Sequence, residues 1–265
     1  MPIADDQLAH RLAEDAGRRL LSLRAQSSGG QASPGAQILQ GKALGQAGDR
    51  LSHEFLMAEL ASARPADAIL SEEGADDRAR LSADRVWIVD PLDGTREFGE
   101  PGRADWAVHV ALWTHGELAA GAVALPAQDV TLSTAAPPAQ PAAGQQGRLR
   151  LLVSRSRPPE FVEAMAASLG ADLVPMGSAG AKAAAVIRGE ADAYVHSGGQ
   201  YEWDSAAPVA VAQAAGLHAS RIDGSPLRYN QADPSLPDIL ICPIEIANLL
   251  LKAISQTLPS EPEHS

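Results

Sequence analysis

Residues 87–98 read WIVDPLDGTREF, an apolar run that ends in two closely spaced carboxylates. The run predicts a strand over residues 85–90, and Pro91, which has no N–H to donate, is expected to end it. The glycine that follows permits a tight turn that other residues resist. The carboxylates of Asp90 and Asp93 and the carbonyl of Leu92 can then converge on one point, and hard oxygen ligands of this kind favour Mg²⁺.

The residues after this turn indicate an anion site beside the metal ligands. If a helical turn begins here, the N–H groups of Gly94 and Thr95 face an anion at its first turn. Metal ligands next to such a turn imply a phosphate next to Mg²⁺. Taken alone, the segment fits a strand, an Asx turn and a helix N-cap with no ligand equally well.

Three other segments carry candidate metal ligands. LSEE at residues 70–73 ends a predicted strand in two carboxylates, of which only one can face the metal because successive strand residues point to opposite faces. Asp204, in EWDSAA at residues 202–207, heads an apolar helix, and Asp49 precedes a predicted helix. The structural alternatives are a solvated acidic loop for the pair and helix N-capping for the two aspartates.

GSAGAK at residues 177–182 predicts a small-residue turn that opens a helix. Lys182, one turn into that helix, could receive a second anionic group. The segment by itself favours an ordinary αβ connection with a solvent-facing lysine. His109 and His196 lie in strand-like runs, where a hydrogen-bonded core imidazole or a surface imidazole is expected.

The composition is that of an acidic globular protein. The 265 residues carry 21 Lys and Arg against 33 Asp and Glu, a formal net charge of −12. This charge argues against a nucleic-acid or anionic-membrane partner. No apolar run reaches the roughly 18 residues of a membrane span, and the first residues lack a signal-peptide pattern. Cys242 is the single cysteine, which excludes an internal disulfide. We therefore expect a cytoplasmic protein.

Hydrophobic periodicity predicts an α+β first half and an α/β second half. Helices over about residues 5–27 and 50–63 precede five strands, at 68–70, 85–90, 106–114, 118–125 and 130–134, which predict an antiparallel sheet. Residues 135–147, AAPPAQPAAGQQG, predict a flexible loop or domain junction. Strands at 149–154, 173–175, 191–196 and 239–242 then alternate with helices at 160–169, 179–188, 205–215 and 244–256. We predict an N-terminal subdomain at 1–140 and a C-terminal subdomain at 148–265.

Together these segments resemble the inositol monophosphatase superfamily of Mg²⁺-dependent, lithium-sensitive phosphatases. DPLDGT at 90–95 and WDSAAPVAVAQAAG at 203–216 look like its two signature regions, and LSEE like the acidic element before the first. The chain is most similar to the CysQ branch, the 3′(2′),5′-bisphosphate nucleotidases of sulfate assimilation, in its actinobacterial form. Four stretches carry that closer likeness: LSEE, DPLDGTREF, GSAGAK followed by ADAYVHSGGQYEWD, and GSPLRYN at 224–230. The resemblance implies a layered αβαβα sandwich.

The resemblance also assigns residues to roles. The implied metal ligands, for two or three Mg²⁺ ions, are Glu72, Asp90, the Leu92 carbonyl, Asp93 and Asp204. The implied catalytic residues are Thr95, which orients the attacking water, with Asp49 and Glu72. The implied substrate-binding residues are Gly94, Thr95, Arg96, Gly177, Ser178 and Lys182.

The implied reaction removes the 3′-phosphate of 3′-phosphoadenosine 5′-phosphate, and the sulfated precursor is a second implied substrate. Inositol 1-phosphate and fructose 1,6-bisphosphate are alternative substrates, because the metal cluster recognises phosphate rather than its carrier. A non-catalytic binding protein with this fold is a further alternative. The expected partner is a phosphorylated small molecule, and a homodimer is possible.

Overall fold

The computed structural model describes residues 3–27, 39–139, 147–156 and 158–258. Seven α-helices lie in the described ranges: α1 (Asp5–Ser27), α2 (Gly41–Ala63), α3 (Thr95–Gly99), α4 (Glu160–Leu169), α5 (Ala179–Ile187), α6 (Glu202–Ala214) and α7 (Ile244–Thr257). The strands of the first half are β1 (Ala68–Ser71), β2 (Arg85–Asp93), β3 (Ala107–Thr114), β4 (Glu117–Leu125) and β5 (Val130–Ser133). Those of the second half are β6 (Arg150–Ser154), β7 (Asp172–Met176), β8 (Ala193–Tyr201), β9 (His218–Ser220) and β10 (Ser235–Cys242).

The strands form two five-stranded sheets. The first has the order β1-β2-β3-β4-β5 and is antiparallel, as predicted, except that β1 pairs with β2 in parallel. The second has the order β7-β6-β8-β10-β9, with parallel pairs around β6 and antiparallel pairs around β10. Two mixed sheets with helices confirm the predicted α+β and α/β combination.

The helices complete five layers. Helices α1 and α2 cover one face of the first sheet, and their core includes Leu12, Leu56 and Trp87. Helices α5 and α6 lie between the two sheets, where Val186 and Val209 share one core with Ile88 of the first sheet and Ile241 of the second. Helices α4 and α7 cover the outer face of the second sheet. This arrangement is the layered αβαβα sandwich that the resemblance implied.

Several predicted boundaries are wrong. Helix α2 begins at Gly41, so Asp49 lies within the helix and cannot be its N-cap. Helix α6 begins at Glu202, three residues before the predicted start. Strand β2 continues through Pro91 to Asp93. Strand β9 was not predicted, because its three residues are too few to show a period.

The subdomain boundary stays a prediction, and residues 140–146 of the predicted loop lie outside the described ranges. Within those ranges, none of the helices combines the length and the apolar character that crossing a bilayer requires.

Candidate metal and phosphate site

A β-bulge in β2 creates the centre of the site. The pairing of β2 with β3 matches Asp90 to His109 and Asp93 to Ala107, so the register shifts between the two aspartates. Pro91 is tolerated there because a bulge leaves residues outside the ladder. The N–H of Leu92 donates to Asp90 Oδ1 at 3.0 Å. The bulge therefore turns two carboxylates of one strand toward the same place.

The half-buried Asp204 completes a cluster of three carboxylates with the buried Asp90 and Asp93. One carboxylate oxygen from each of Asp90, Asp93 and Asp204 lies within 4.8 Å of the others. Two like charges at about 4 Å repel by roughly 1–4 kcal/mol at effective dielectric constants of 80 to 20. A divalent cation relieves this repulsion, and oxygen-only ligands select a hard cation over a soft one. The donor set therefore fits a magnesium-like ion.

Two carboxyls of this cluster have raised pKa values. Burial raises the pKa of Asp90 well above its usual value, and the charges of Glu72, Asp93 and Asp204 raise it further. Burial and the charge of Asp93 raise the pKa of Asp204 to about 7. The N–H of Tyr201 donates to Asp204 Oδ2 at 2.7 Å, which fixes this side chain in the first turn of α6.

Glu72, which follows β1, is an exposed residue beside the cluster and is not one of the three carboxyls whose oxygens lie within 4.8 Å of one another. Partial removal from water and the charge of Asp204 raise the pKa of Glu72 to about 7. The parallel pairing of β1 with β2 ends at Ser71 and Val89, which places Glu72 next to Asp90 in the neighbouring strand.

Asp93 differs from the other cluster carboxylates because several donors surround it. Its Oδ2 accepts from the Ser178 hydroxyl at 2.5 Å and from the Gly180 N–H at 2.6 Å. Burial alone raises the pKa of Asp93, but the charge of His109 and these hydrogen bonds outweigh it and lower the pKa to about 2. Asp93 is therefore the carboxylate that stays ionised at neutral pH.

Asp49 and Thr95 lie next to the bulge. The Thr95 hydroxyl is 3.1 Å from Asp49 Oδ1 and 3.2 Å from the Leu92 carbonyl oxygen, so it can donate to either. Burial raises the pKa of Asp49 to about 6. Gly45, one turn before Asp49 in α2, allows this approach, since a Cβ there would lie 2.7 Å from Thr95 Cγ2.

The short helix α3 begins at Thr95, after Gly94 in the left-handed region with φ +86°. The predicted helical turn is therefore present. Arg96 extends from α3 with its side chain 67% exposed and pairs with Glu100 at 3.3 Å.

The GSAGAK turn packs against Asp93 of the cluster. The Gly177 N–H donates to Asp105 Oδ2 at 2.8 Å, and the Ser178 hydroxyl both caps α5 and binds Asp93. The prediction of a solvent-facing Lys182 is wrong: the side chain is buried, and Nζ donates to the carbonyls of Met176, Gly177 and Ser178. The prediction failed because α5 lies between the two sheets, where each of its residues is buried.

The sequence did not predict that His109 contacts the carboxylate cluster. The sequence indicated a core or surface imidazole, and His109 is fully buried, but its Nε2 lies 3.3 Å from Asp93 Oδ2. The signal that could have found it is the register of β2 with β3, which sets His109 opposite Asp90. That register depends on the bulge and cannot be read from the sequence.

An open groove of about 590 Å³ adjoins this cluster on the α2 side. Its lining residues are Gln46, Asp49, Arg50, His53, Glu54 and Glu73. The groove gives solvent a route to Asp49.

The fold and the carboxylate cluster agree with the comparisons to known proteins. The sequence pattern of the inositol monophosphatase family matches residues 6–257, and this chain belongs to that family. A 3′-phosphoadenosine 5′-phosphate phosphatase from Mycobacterium bovis is 53% identical over 253 residues, which cover 91% of this chain and 90% of that protein. The 3′(2′),5′-bisphosphate nucleotidase CysQ of Escherichia coli is 31% identical over 72% of this chain and 81% of its own.

A solved structure supports the same assignment of the fold. The crystal structure of CysQ from Bacteroides thetaiotaomicron, a bacterial member of the inositol monophosphatase family, superposes with a TM-score of 0.71 at 26% identity. The match covers 90% of this chain and 97% of that one. The resemblance stated from the sequence motifs is therefore confirmed at the level of family and fold, whereas the roles of individual residues stay predictions.

Proposed function

We propose that this protein is a Mg²⁺-dependent phosphomonoesterase that removes the 3′-phosphate of 3′-phosphoadenosine 5′-phosphate, giving AMP and phosphate. The observation that carries the proposal is the meeting of Asp90, Asp93 and Asp204, with Glu72 next to Asp90 and Thr95 beside the bulge. The names of the mycobacterial relatives at 50% and 53% identity support this choice of substrate. The sulfated analogue of the nucleotide is a second candidate substrate.

The proposed metal ligands are Glu72, Asp90, the Leu92 carbonyl, Asp93 and Asp204, and we propose two or three ions. Magnesium bound there would neutralise charge on the phosphate and lower the pKa of bound water. Asp93 is already held as an anion, and the ionisation of the others is coupled to cation binding. The chain's own contribution is to hold these ligands in place before the substrate binds.

Thr95 is the proposed water-orienting residue. When its hydroxyl proton is directed to Asp49 or to the Leu92 carbonyl, its oxygen can still accept a hydrogen bond from a water molecule. Asp49, with its pKa raised by burial to about 6, and Glu72 are the proposed proton acceptors, because a base is most effective when its pKa is near the working pH.

The amides of Gly94 and Thr95 are the proposed phosphate contacts, and Arg96, Gly177, Ser178 and Lys182 are proposed to line the substrate site. The Ser178 hydroxyl donates to Asp93 of the cluster, and the N–H of the adjacent Gly177 donates to Asp105. Lys182 donates to three backbone carbonyls, so a contribution to substrate binding would act through the shape of the turn.

Phosphate release from four substrates tests the proposal. The panel is 3′-phosphoadenosine 5′-phosphate, its 5′-phosphosulfate analogue, inositol 1-phosphate and fructose 1,6-bisphosphate, each with Mg²⁺ and with EDTA. We expect the highest kcat/KM for the adenosine bisphosphate and no release with EDTA. A higher kcat/KM for inositol 1-phosphate or fructose 1,6-bisphosphate would select those alternatives, and no release from any substrate would favour the non-catalytic binding protein.

A further inference from the structure

His109 is fully buried where β3 passes between the bulge and the start of α6. Its Nδ1 lies 3.0 Å from the carbonyl oxygen of Trp203, and its Nε2 lies 3.3 Å from Asp93 Oδ2. Trp203 immediately precedes Asp204. One imidazole therefore contacts Asp93 directly and the backbone that carries Asp204.

The two ring nitrogens face oxygen atoms of different kinds. A backbone carbonyl can only accept, so Nδ1 must carry a proton in this contact. The contact of Nε2 with Asp93 has the distance of an ion pair without the alignment of a hydrogen bond. The contact with Trp203 therefore fixes the ring, and the ring presents its other edge to Asp93.

Asp93 Oδ2 is surrounded by protein on three sides. Ser178 Oγ, the Gly180 N–H and His109 Nε2 all approach this oxygen. A carboxylate with one oxygen committed to protein donors can offer only its other oxygen to a cation. The same contacts prevent the side chain from turning toward Asp90 or away from it.

The chain leaves room for this imidazole at one position of α5. A Cβ on Gly180 would lie 2.1 Å from His109 Nε2 and 3.0 Å from Ala107 Cβ. Any side chain at position 180 would therefore displace the ring. Gly180 contributes twice, since its N–H also binds Asp93.

We infer that His109 is a positioning residue for the cation site: it restricts Asp93 to one free oxygen and sets the separation between Asp93 and Asp204. This inference rests on the proposed function only in taking Asp93 and Asp204 as cation ligands. Residues that orient metal ligands typically change metal affinity by about 10- to 100-fold when they are replaced.

Three substitutions separate the two contacts of the ring. Asn carries its amide nitrogen close to the position of Nδ1, so His109→Asn keeps a donor to Trp203 and loses the contact with Asp93. Gln carries its amide nitrogen close to the position of Nε2, so His109→Gln keeps a polar N–H group beside Asp93. His109→Ala removes both. His218→Gln is the matched control, because His218 pairs with Ser220 in β9.

The experiment measures Mn²⁺ binding to the metal-stripped full-length protein by calorimetric titration, together with the Mg²⁺ dependence of phosphate release. We expect Mn²⁺ affinity to fall by about 10- to 100-fold in His109→Asn and His109→Ala and by less than tenfold in His109→Gln. Saturating Mg²⁺ should restore most of kcat in the weakened variants. The control should bind Mn²⁺ as the wild type does.

Equal Mn²⁺ affinities in the wild type and the His109→Asn and His109→Gln variants would overturn the inference. An equal loss in both variants would also overturn it, because the contact with Asp93 would then have no separate effect. This comparison stands even if His109→Ala does not fold. A wild type that binds Mn²⁺ but releases no phosphate contradicts the proposed function alone, and a wild type that binds no Mn²⁺ contradicts both.

Discussion

The hydroxyl of Thr95 lies 3.1 Å from Asp49 Oδ1 and so joins the first turn of α3 to the middle of α2, 46 residues earlier in the chain. The same hydroxyl is 3.2 Å from the Leu92 carbonyl oxygen. This contact connects the bulge that holds two carboxylates with a carboxyl whose pKa is raised by burial. It is the basis of the water-orienting function that we propose for Thr95.

Replacing Thr95 tests that function directly. Thr95→Val keeps the shape of the side chain and removes the hydroxyl, so we expect kcat to fall by about 100-fold or more, the usual contribution of a positioned proton-transfer group. Thr95→Ser keeps the hydroxyl and should lose less than tenfold. Steady-state kinetics at saturating Mg²⁺ measures both, and equal activities of the Val variant and the wild type would remove Thr95 from the mechanism.

Asp93→Asn should abolish turnover without unfolding the chain. The amide oxygen of Asn can still accept from Ser178 and Gly180, so the local packing is kept. The loss of the charge should reduce kcat by at least about 100- to 1,000-fold, the range seen for losing one electrostatic contact in a transition state. Phosphate-release assays measure the loss of turnover, and circular dichroism checks that the variant stays folded. Asp172→Asn, at an exposed ion pair with Arg148, is the control, and normal activity of Asp93→Asn would remove this residue from the ligand set.

The metal-free protein should lose stability as pH rises from about 4 to about 8. In the folded chain the pKa values of Asp49, Glu72 and Asp204 are raised to about 6, 7 and 7, mainly by burial. The unfolded chain has ordinary values near 4, so over this interval the folded state binds more protons. The free energy of unfolding therefore falls as these groups ionise. This loss of stability is absent only below about pH 4, where the three groups are protonated in both states.

Urea unfolding in EDTA at four pH values between 5 and 8 measures this dependence. Mg²⁺ should weaken it, because cation binding favours the ionised folded state. Asp204→Asn, which removes one of the three groups, should flatten the EDTA curve. Stability that rises with pH in EDTA is the outcome that contradicts the prediction.

Arg80 should be a major contributor to stability although it lies outside the cluster. Its guanidinium is fully buried and donates to Asp76, to Asn230 Oδ1 and to the Gln231 carbonyl. The N–H groups of Asn230 and Gln231 in turn donate to Glu202, the first residue of α6. Arg80 therefore ties the segment after Glu72 to the helix that carries Asp204.

We expect Arg80→Ala to lower the free energy of unfolding by about 3–5 kcal/mol, because it leaves a cavity where a fully buried side chain lay and leaves the buried Asn230 oxygen without its donor. The corresponding fall in Tm is on the order of 6–20 °C. Differential scanning calorimetry measures it. Arg78→Ala, two residues before Arg80 and at an exposed position, is the control and should change Tm by no more than about 2 °C. A Tm equal to that of the wild type in Arg80→Ala would show that the network is dispensable.

The sequence by itself determined the family, the order of most elements and the composition of the carboxylate set. Asp90 and Asp93 could be selected because they follow an apolar run that predicts a strand, whereas Asp204 was selected because its segment resembles the second signature region of the family. Periodicity could not place the start of α2 at Gly41, because the small polar residues before Asp49 show no apolar stripe.

Only the tertiary structure decided how the side chains meet. The bulge between Asp90 and Asp93, the contact of His109 with Asp93, and the burial of Lys182 all depend on the register of β2 with β3 and on the packing of α5 against it. Register is set by contacts between distant segments, and a shift of one residue would send every side chain to the opposite face. Local sequence therefore specifies which groups are available, and long-range pairing specifies which of them come within 4.8 Å of one another.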